Sequence, residues 1–167
     1  LNLVNAVRTA TCRDSRGRGV LVVLNDEINA ARDVTKSNTY RAETFRSGEL
    51  GFLGYVDQDK VAYYRAPGKR HTVNSEFDLR AIPAFPIVEI VYSSVESSAP
   101  LLVAALQQAG VRGIVFAATG AGSLSDREKE AIMKSVEQSR NTVFVRSSRV
   151  GNGRVIGSEL EPGKHKQ

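Results

Sequence analysis

In the stretch ARDVTKSNT, residues 31 to 39, a lysine and an aspartate stand close together among the hydroxyls of Thr35, Ser37 and Thr39. An ammonium that is partly desolvated and held by a carboxylate can shift its pKa and pass a proton to or from a hydroxyl nucleophile. Lys36 is the candidate for that role, and Asp33 could hold it only where the backbone turns between them. Composition by itself gives a plain surface lysine. No histidine lies in the segment to serve as base, and neither a G-x-S-x-G elbow nor an S-x-x-K arrangement occurs there, which argues against a Ser-His-Asp hydrolase.

A second candidate is the small-residue loop ATGAGS, Ala118 to Ser123, which the pattern sets after a strand and before a helix. Such a loop can turn backbone N–H groups toward a carboxylate or phosphate, helped by the positive end of the helix dipole. The phosphate-loop pattern GxxxxGK[ST] is absent, so a tight turn explains the glycines as well as a ligand cradle does. GNG at 151 to 153 is a turn signal first.

The elements that must carry these residues follow from periodicity. Leu3, Val4 and Val7 recur at helical spacing, which predicts a helix over Leu1 to Ala10 packed on a sheet. GVLVVL, residues 19 to 24, is a continuous apolar run, as expected of a parallel strand covered on both faces. On that reading the polar stretch from Asn25 to Thr39 follows a strand's carboxyl end, where open α/β sheets bind ligands. GFLGYV and KVAYYRA, joined by Asp57, Gln58 and Asp59, predict a hairpin. The stretch from Pro67 to Pro86, rich in turn residues, reads as a linker.

Downstream, IVEIVY, a helix from about Pro100 to Gln108, GIVFA, a helix from about Asp126 to Ser139, and TVFV alternate as strand, helix, strand, helix, strand. Pro100 suits a first helical turn, and Gly110 can take the left-handed conformation that ends a helix. Ser125 and Glu128 have capping-box spacing. Parallel strands joined by helical crossovers form a small doubly wound sheet, with binding loops at 93 to 98, 118 to 124 and 147 to 158.

Bulk properties narrow the class. The chain has 167 residues, enough for one domain or one and part of another, and no apolar run nears the roughly 20 residues that span a bilayer. No targeting signal is visible at Leu1 to Ala10. Net charge is +5, but 23 basic residues are interspersed with 18 acidic ones, without the basic stripe of a nucleic-acid binder. Cys12 stands alone and the histidines are His71 and His165, so no metal-ligand cluster is implied.

LNLVNAV, RGVLVVLNDEINAARDVTKSNTYRAETF, GFLGYV, the RAPGKRHT to EFDL stretch and RSSRVGNG resemble, in order and spacing, the central and carboxyl-terminal parts of bacterial type II L-asparaginases and glutaminase-asparaginases. The resemblance runs from Leu1 to about Gly153. It implies an α/β protein: part of a larger Rossmann-like amino-terminal domain at 1–72, a linker at 73–85, and a smaller doubly wound parallel α/β carboxyl-terminal domain, incomplete, at 86–167. It implies hydrolysis of L-asparagine, and of L-glutamine in some members, through a threonine acyl-enzyme with no metal or cofactor. The expected location is periplasmic or secreted.

The family's nucleophile lies in a GGTIA-like motif, and a second threonine with an aspartate lies in an HGTDT-like motif; neither occurs here. The resemblance therefore implies a piece of a longer protein, inactive by itself. It matches Lys36 to the family lysine that works with that second threonine and aspartate in proton transfer. It implies a homotetramer whose sites are closed by a neighbouring subunit, with Ser123 where strict asparaginases offer asparagine and several glutaminase-asparaginases offer serine. Glu159 or Glu161 could supply the glutamate that binds the substrate's amino group, although LEPGKHK also resembles the segment beyond that loop. Absence of the family's final helix would leave an apolar face of the second domain uncovered. Two other readings stand beside this one: the asparaginase-like subunit of a transfer-RNA amidotransferase, and, for a chain complete as given, a non-catalytic binding module.

Overall fold

A computed structural model of the chain describes residues 1–138 and 141–157, which divide into two compact units, Leu1–Ile82 and Pro83–Gln167. Each unit has its own sheet and core.

The first unit begins with helix α1 (Asn2–Thr11). Strands β1 (Leu21–Leu24), β2 (Glu27–Ala30), β5 (Gly54–Val56) and β6 (Val61–Tyr63) form an antiparallel sheet in the order β1-β2-β5-β6. A separate two-stranded ribbon pairs β3 (Thr35–Lys36) with β4 (Phe45–Arg46). Ile28, Ala30, Leu53 and Val56 are buried.

Two expectations are corrected here. GVLVVL is not a parallel strand: Leu24 pairs with Glu27 across a two-residue turn, and β1 runs antiparallel to β2. Asn25 and Asp26 have φ of 52° and 63°, the left-handed pair that a type I′ hairpin turn requires and that Asn and Asp tolerate better than most residues. The residues after Leu24 are thus a hairpin tip and its return strand. The stripe of Leu3, Val4 and Val7 faces outward, while Asn5 and Thr9 are buried. Polar bonds orient the helix: Asn5 Nδ2 donates to Asp26 Oδ1 at 2.6 Å, and the Asn25 N–H donates to Asn2 Oδ1 at 3.0 Å.

The hairpin of GFLGYV and KVAYYRA is present, with Val56 opposite Val61. Its strands approach so closely that a Cβ at Gly54 would lie 2.0 Å from the Ala62 carbonyl oxygen.

The second unit is a parallel sheet in the order β7-β8-β9, with β7 (Val88–Tyr92), helix α2 (Ala99–Gln108), β8 (Gly113–Ala118), helix α3 (Asp126–Gln138) and β9 (Val143–Ser148) following one another along the chain. Val91, Ile114, Phe116 and Ala118 of the strands share one buried cluster with Ala99 and Val103 of α2 and Ile132 of α3. The alternate positions face away from it. Val88, Ile90 and Tyr92 of β7 and Val143 and Val145 of β9 are between 48% and 66% exposed, so a large apolar strip of this sheet stays in contact with solvent.

Local chemistry sets the helix ends. Gly110 has φ +80°, its N–H bonds the Gln107 carbonyl, and the Val111 N–H bonds Leu106 O, which is a Schellman closure. At the start of α3, Glu128 Oε2 accepts from the Ser125 N–H at 2.8 Å and Ser125 Oγ accepts from the Glu128 N–H at 3.3 Å. That is the reciprocal capping box its spacing predicts.

Candidate functional site

Lys36 lies on β3 opposite Phe45, and its side chain is exposed. The backbone does turn upstream, with the Asp33 and Val34 N–H groups both bonded to Ala30 O. Even so, none of the ion pairs among the described residues contains Lys36 or Asp33. Lys36 lines a concave surface of about 440 Å³ with Ser37, Asn38 and Thr39.

The neighbouring hydroxyls are not organised as nucleophiles. Ser37 Oγ donates to Thr44 O at 2.7 Å, and Thr44 Oγ1, which bonds Asn38 O, also accepts the Asn38 N–H. Asn38 Oδ1 in turn caps the Tyr40 and Arg41 N–H groups, so the loop between β3 and β4 is a self-bonded turn that presents Lys36 at its base. This arrangement supplies a cation beside an open surface, and no attacking group.

The sequence reading passed over Asn29 and Ser47. Both are buried, and Ser47 Oγ donates to Asn29 Oδ1. Together with Glu27, Glu43 and Arg46 they line a second cavity of about 560 Å³. Composition carried no signal for them: Asn29 lies in the polar stretch after Leu24, and its burial comes from the pairing of β2 with β1 and β5.

In the second unit the loop after β8 closes on itself. The Ser123 N–H donates to Thr119 O at 2.8 Å, the Thr119 N–H donates to Ser123 O at 3.3 Å, and Gly120 and Gly122 have φ of 49° and 94°. Gly122 and Leu124 are buried on either side of Ser123, which is itself exposed, and its hydroxyl bonds none of the described residues. The loop is therefore closed by two backbone bonds and leaves the Ser123 side chain exposed.

Lys36 and Ser123 lie in different units. Glu159, the residue put forward for the substrate's amino group, lies outside the described residues, as does Glu161. Among the described residues no group of three or more His, Cys, Asp and Glu could hold a metal ion, and no helix is long and apolar enough to cross a membrane.

The sequence matches the family described as "Asparaginase, N-terminal" over residues 1–69 and "Glutaminase/Asparaginase C-terminal domain" over residues 87–167. The chain belongs to the asparaginase family. Its relatives include "Probable L-asparaginase periplasmic" of Haemophilus influenzae, 43% identical over 154 residues, covering 92% of this chain and 43% of that protein. "Glutaminase-asparaginase" of Pseudomonas fluorescens is 44% identical over 155 residues, 92% of this chain and 41% of that one. "L-asparaginase 2" of Escherichia coli is 42% identical over 165 residues, 98% and 47% respectively. The chain thus spans under half the length of these relatives. Among solved structures, the "Probable Cytoplasmic L-asparaginase" from Campylobacter jejuni superposes with a TM-score of 0.86 at 35% identity, over 95% of this chain and 51% of that one.

Proposed function

We propose that this chain works within a longer amidohydrolase that converts L-asparagine, and also L-glutamine, to the acid and ammonia. The observation that carries this is the tandem match of the two asparaginase domains over residues 1–69 and 87–167, in relatives whose names include both asparaginase and glutaminase-asparaginase. Residues 1–72 then belong to the amino-terminal domain, 73–85 to the linker and 86–167 to the carboxyl-terminal domain.

In this reading a threonine supplied by the remainder of the protein attacks the amide carbonyl, ammonia leaves, and water cleaves the resulting acyl-enzyme. A hydroxyl attacks well only when a nearby group takes its proton, and Lys36, acting with a second threonine and an aspartate from the same remainder, handles that proton. Lys36 is exposed on β3 and no described carboxylate holds it, so in this reading the remainder of the protein supplies both the carboxylate and the cover that the role requires. Ser123 reaches the site of an adjoining subunit in a homotetramer and contacts the substrate, with Glu159 at its amino group. Serine at 123 favours acceptance of both amides. The expected compartment is the periplasm or the exterior, in line with the name of the Haemophilus influenzae relative; the Campylobacter jejuni neighbour is described as cytoplasmic.

The test is ammonia release from asparagine and glutamine by the full-length protein, alongside the isolated 1–167 chain. Activity of the full-length protein on both amides, and none from the isolated chain, is expected. A full-length protein inert toward both would overturn the reading.

A further inference from the structure

The segment that follows β9 turns back onto the Ser123 loop. The Ile156 N–H donates to Ala121 O at 3.1 Å, and the Arg146 guanidinium bonds the Ile156 carbonyl. Ser148 Oγ donates to Gly120 O, and the Arg149 N–H donates to Ala118 O at 3.0 Å. Between these bonds Val155 sits against Gly122: a Cβ there would lie 2.6 Å from Val155 Cγ1. Gly122 also has φ +94°, so position 122 is restricted to glycine both by its backbone and by the valine.

We infer that Val155 is a positioning residue for Ser123: packed on Gly122, one residue before Ser123, it fixes the direction in which that hydroxyl leaves the loop. The inference rests on the reading of Ser123 as a substrate contact. A glycine-rich loop has many accessible backbone states, and a contact on one face of it reduces them before substrate arrives. Val155 and Ile156 do this jointly, the side chain of one wedging Gly122 and the amide of the other holding Ala121. The substrate class that senses the change is a short carboxamide. A misdirected hydroxyl would weaken binding of the amide and blur the difference between the shorter and longer side chain, while groups that carry out bond breaking stay in place.

The experiment uses the full-length enzyme with Val155→Ala, Val155→Leu, Val155→Ile, Ser123→Ala and the Ser123→Ala/Val155→Ala double variant. Val155→Ala is expected to raise KM for asparagine by about tenfold with a much smaller change in kcat, and to shift the asparagine-to-glutamine ratio of kcat/KM. Val155→Ile restores both, because it keeps the branched wedge. Val155→Leu, which presses on Gly122 instead of releasing it, raises KM as well and stands in where the alanine variant fails to assemble. The double variant is no worse in KM than Ser123→Ala alone, since the two residues act through one contact. If Ser123→Ala leaves KM and the ratio unchanged, the substrate role of Ser123 is lost and this inference with it. If Ser123→Ala changes them while both Val155→Ala and Val155→Leu lower only Tm, Val155 is packing alone and the inference is overturned by itself.

Discussion

Ser97 donates its hydroxyl hydrogen to Glu128 at 3.0 Å, inside a core where Glu128 has no exposed surface. The same carboxylate accepts the Ser125 N–H, so one side chain joins the loop after β7 to the first turn of α3. A buried carboxylate is tolerated only when its oxygens are bonded, and here both are engaged.

Glu128→Ala strands the Ser97 hydroxyl and the Ser125 N–H and is expected to destabilise the second unit by roughly 1–3 kcal/mol. Ser125→Ala, which removes one cap acceptor, costs about 1 kcal/mol. Denaturant unfolding of both variants checks the order: a Glu128 effect no larger than the Ser125 effect would show that the bond to Ser97 adds nothing.

Gly54→Ala places a methyl against the Ala62 carbonyl and forces β5 and β6 apart. A loss of roughly 1–3 kcal/mol is expected, as for overpacking elsewhere. Gly68→Ala, at a position with open space around it, is the control and leaves Tm nearly unchanged.

These elements also show how far the sequence could be read. Pro100, Gly110 and the Ser125–Glu128 pair act on backbone groups within a turn of themselves, so the helices of the second unit were legible almost to the residue. GVLVVL was not, because a continuous apolar run looks the same in a parallel strand and in a hairpin arm. The distinction lay in Asn25 and Asp26, which take a left-handed backbone and also bond Asn2 and Asn5 more than twenty residues upstream. The outward stripe on α1 shows a second limit, since periodicity marks an apolar face without saying what that face packs against. Lys36 and Ser123 were legible as positions in a pattern. That Lys36 would bond no neighbour, and that Ser123 would stand between two buried residues, depended on contacts that the pattern does not encode.

Tyr63 offers a test by titration. Burial raises its pKa above the usual tyrosine value, and its hydrogen-bonded neighbour Ser15 and the Arg18 guanidinium, 4.0 Å from the ring centre, offset part of the rise. A raised folded-state pKa means that the neutral phenol stabilises the fold at pH below the ordinary value of about 10, and that this contribution is lost as pH climbs through the raised value. Arg18→Ala is expected to move the Tyr63 titration still higher. Phenolate absorbance, taken as a difference against Tyr63→Phe, reads it; a downward move would contradict the assignment.

Ser123→Asn in the full-length enzyme is expected to lower glutamine turnover relative to asparagine turnover, with Tm nearly unchanged because position 123 is exposed. Steady-state kinetics on both amides decides it, and an unchanged ratio would remove residue 123 from specificity.

The role of Lys36 is the claim on which the mechanism turns, and kcat for asparagine in a Lys36→Met full-length enzyme measures it most directly. Loss of a proton-transfer group predicts a fall of about 100-fold or more, in a protein that still folds and assembles, since the side chain is exposed and bonds no other described group. Turnover equal to that of the unaltered enzyme would contradict the account.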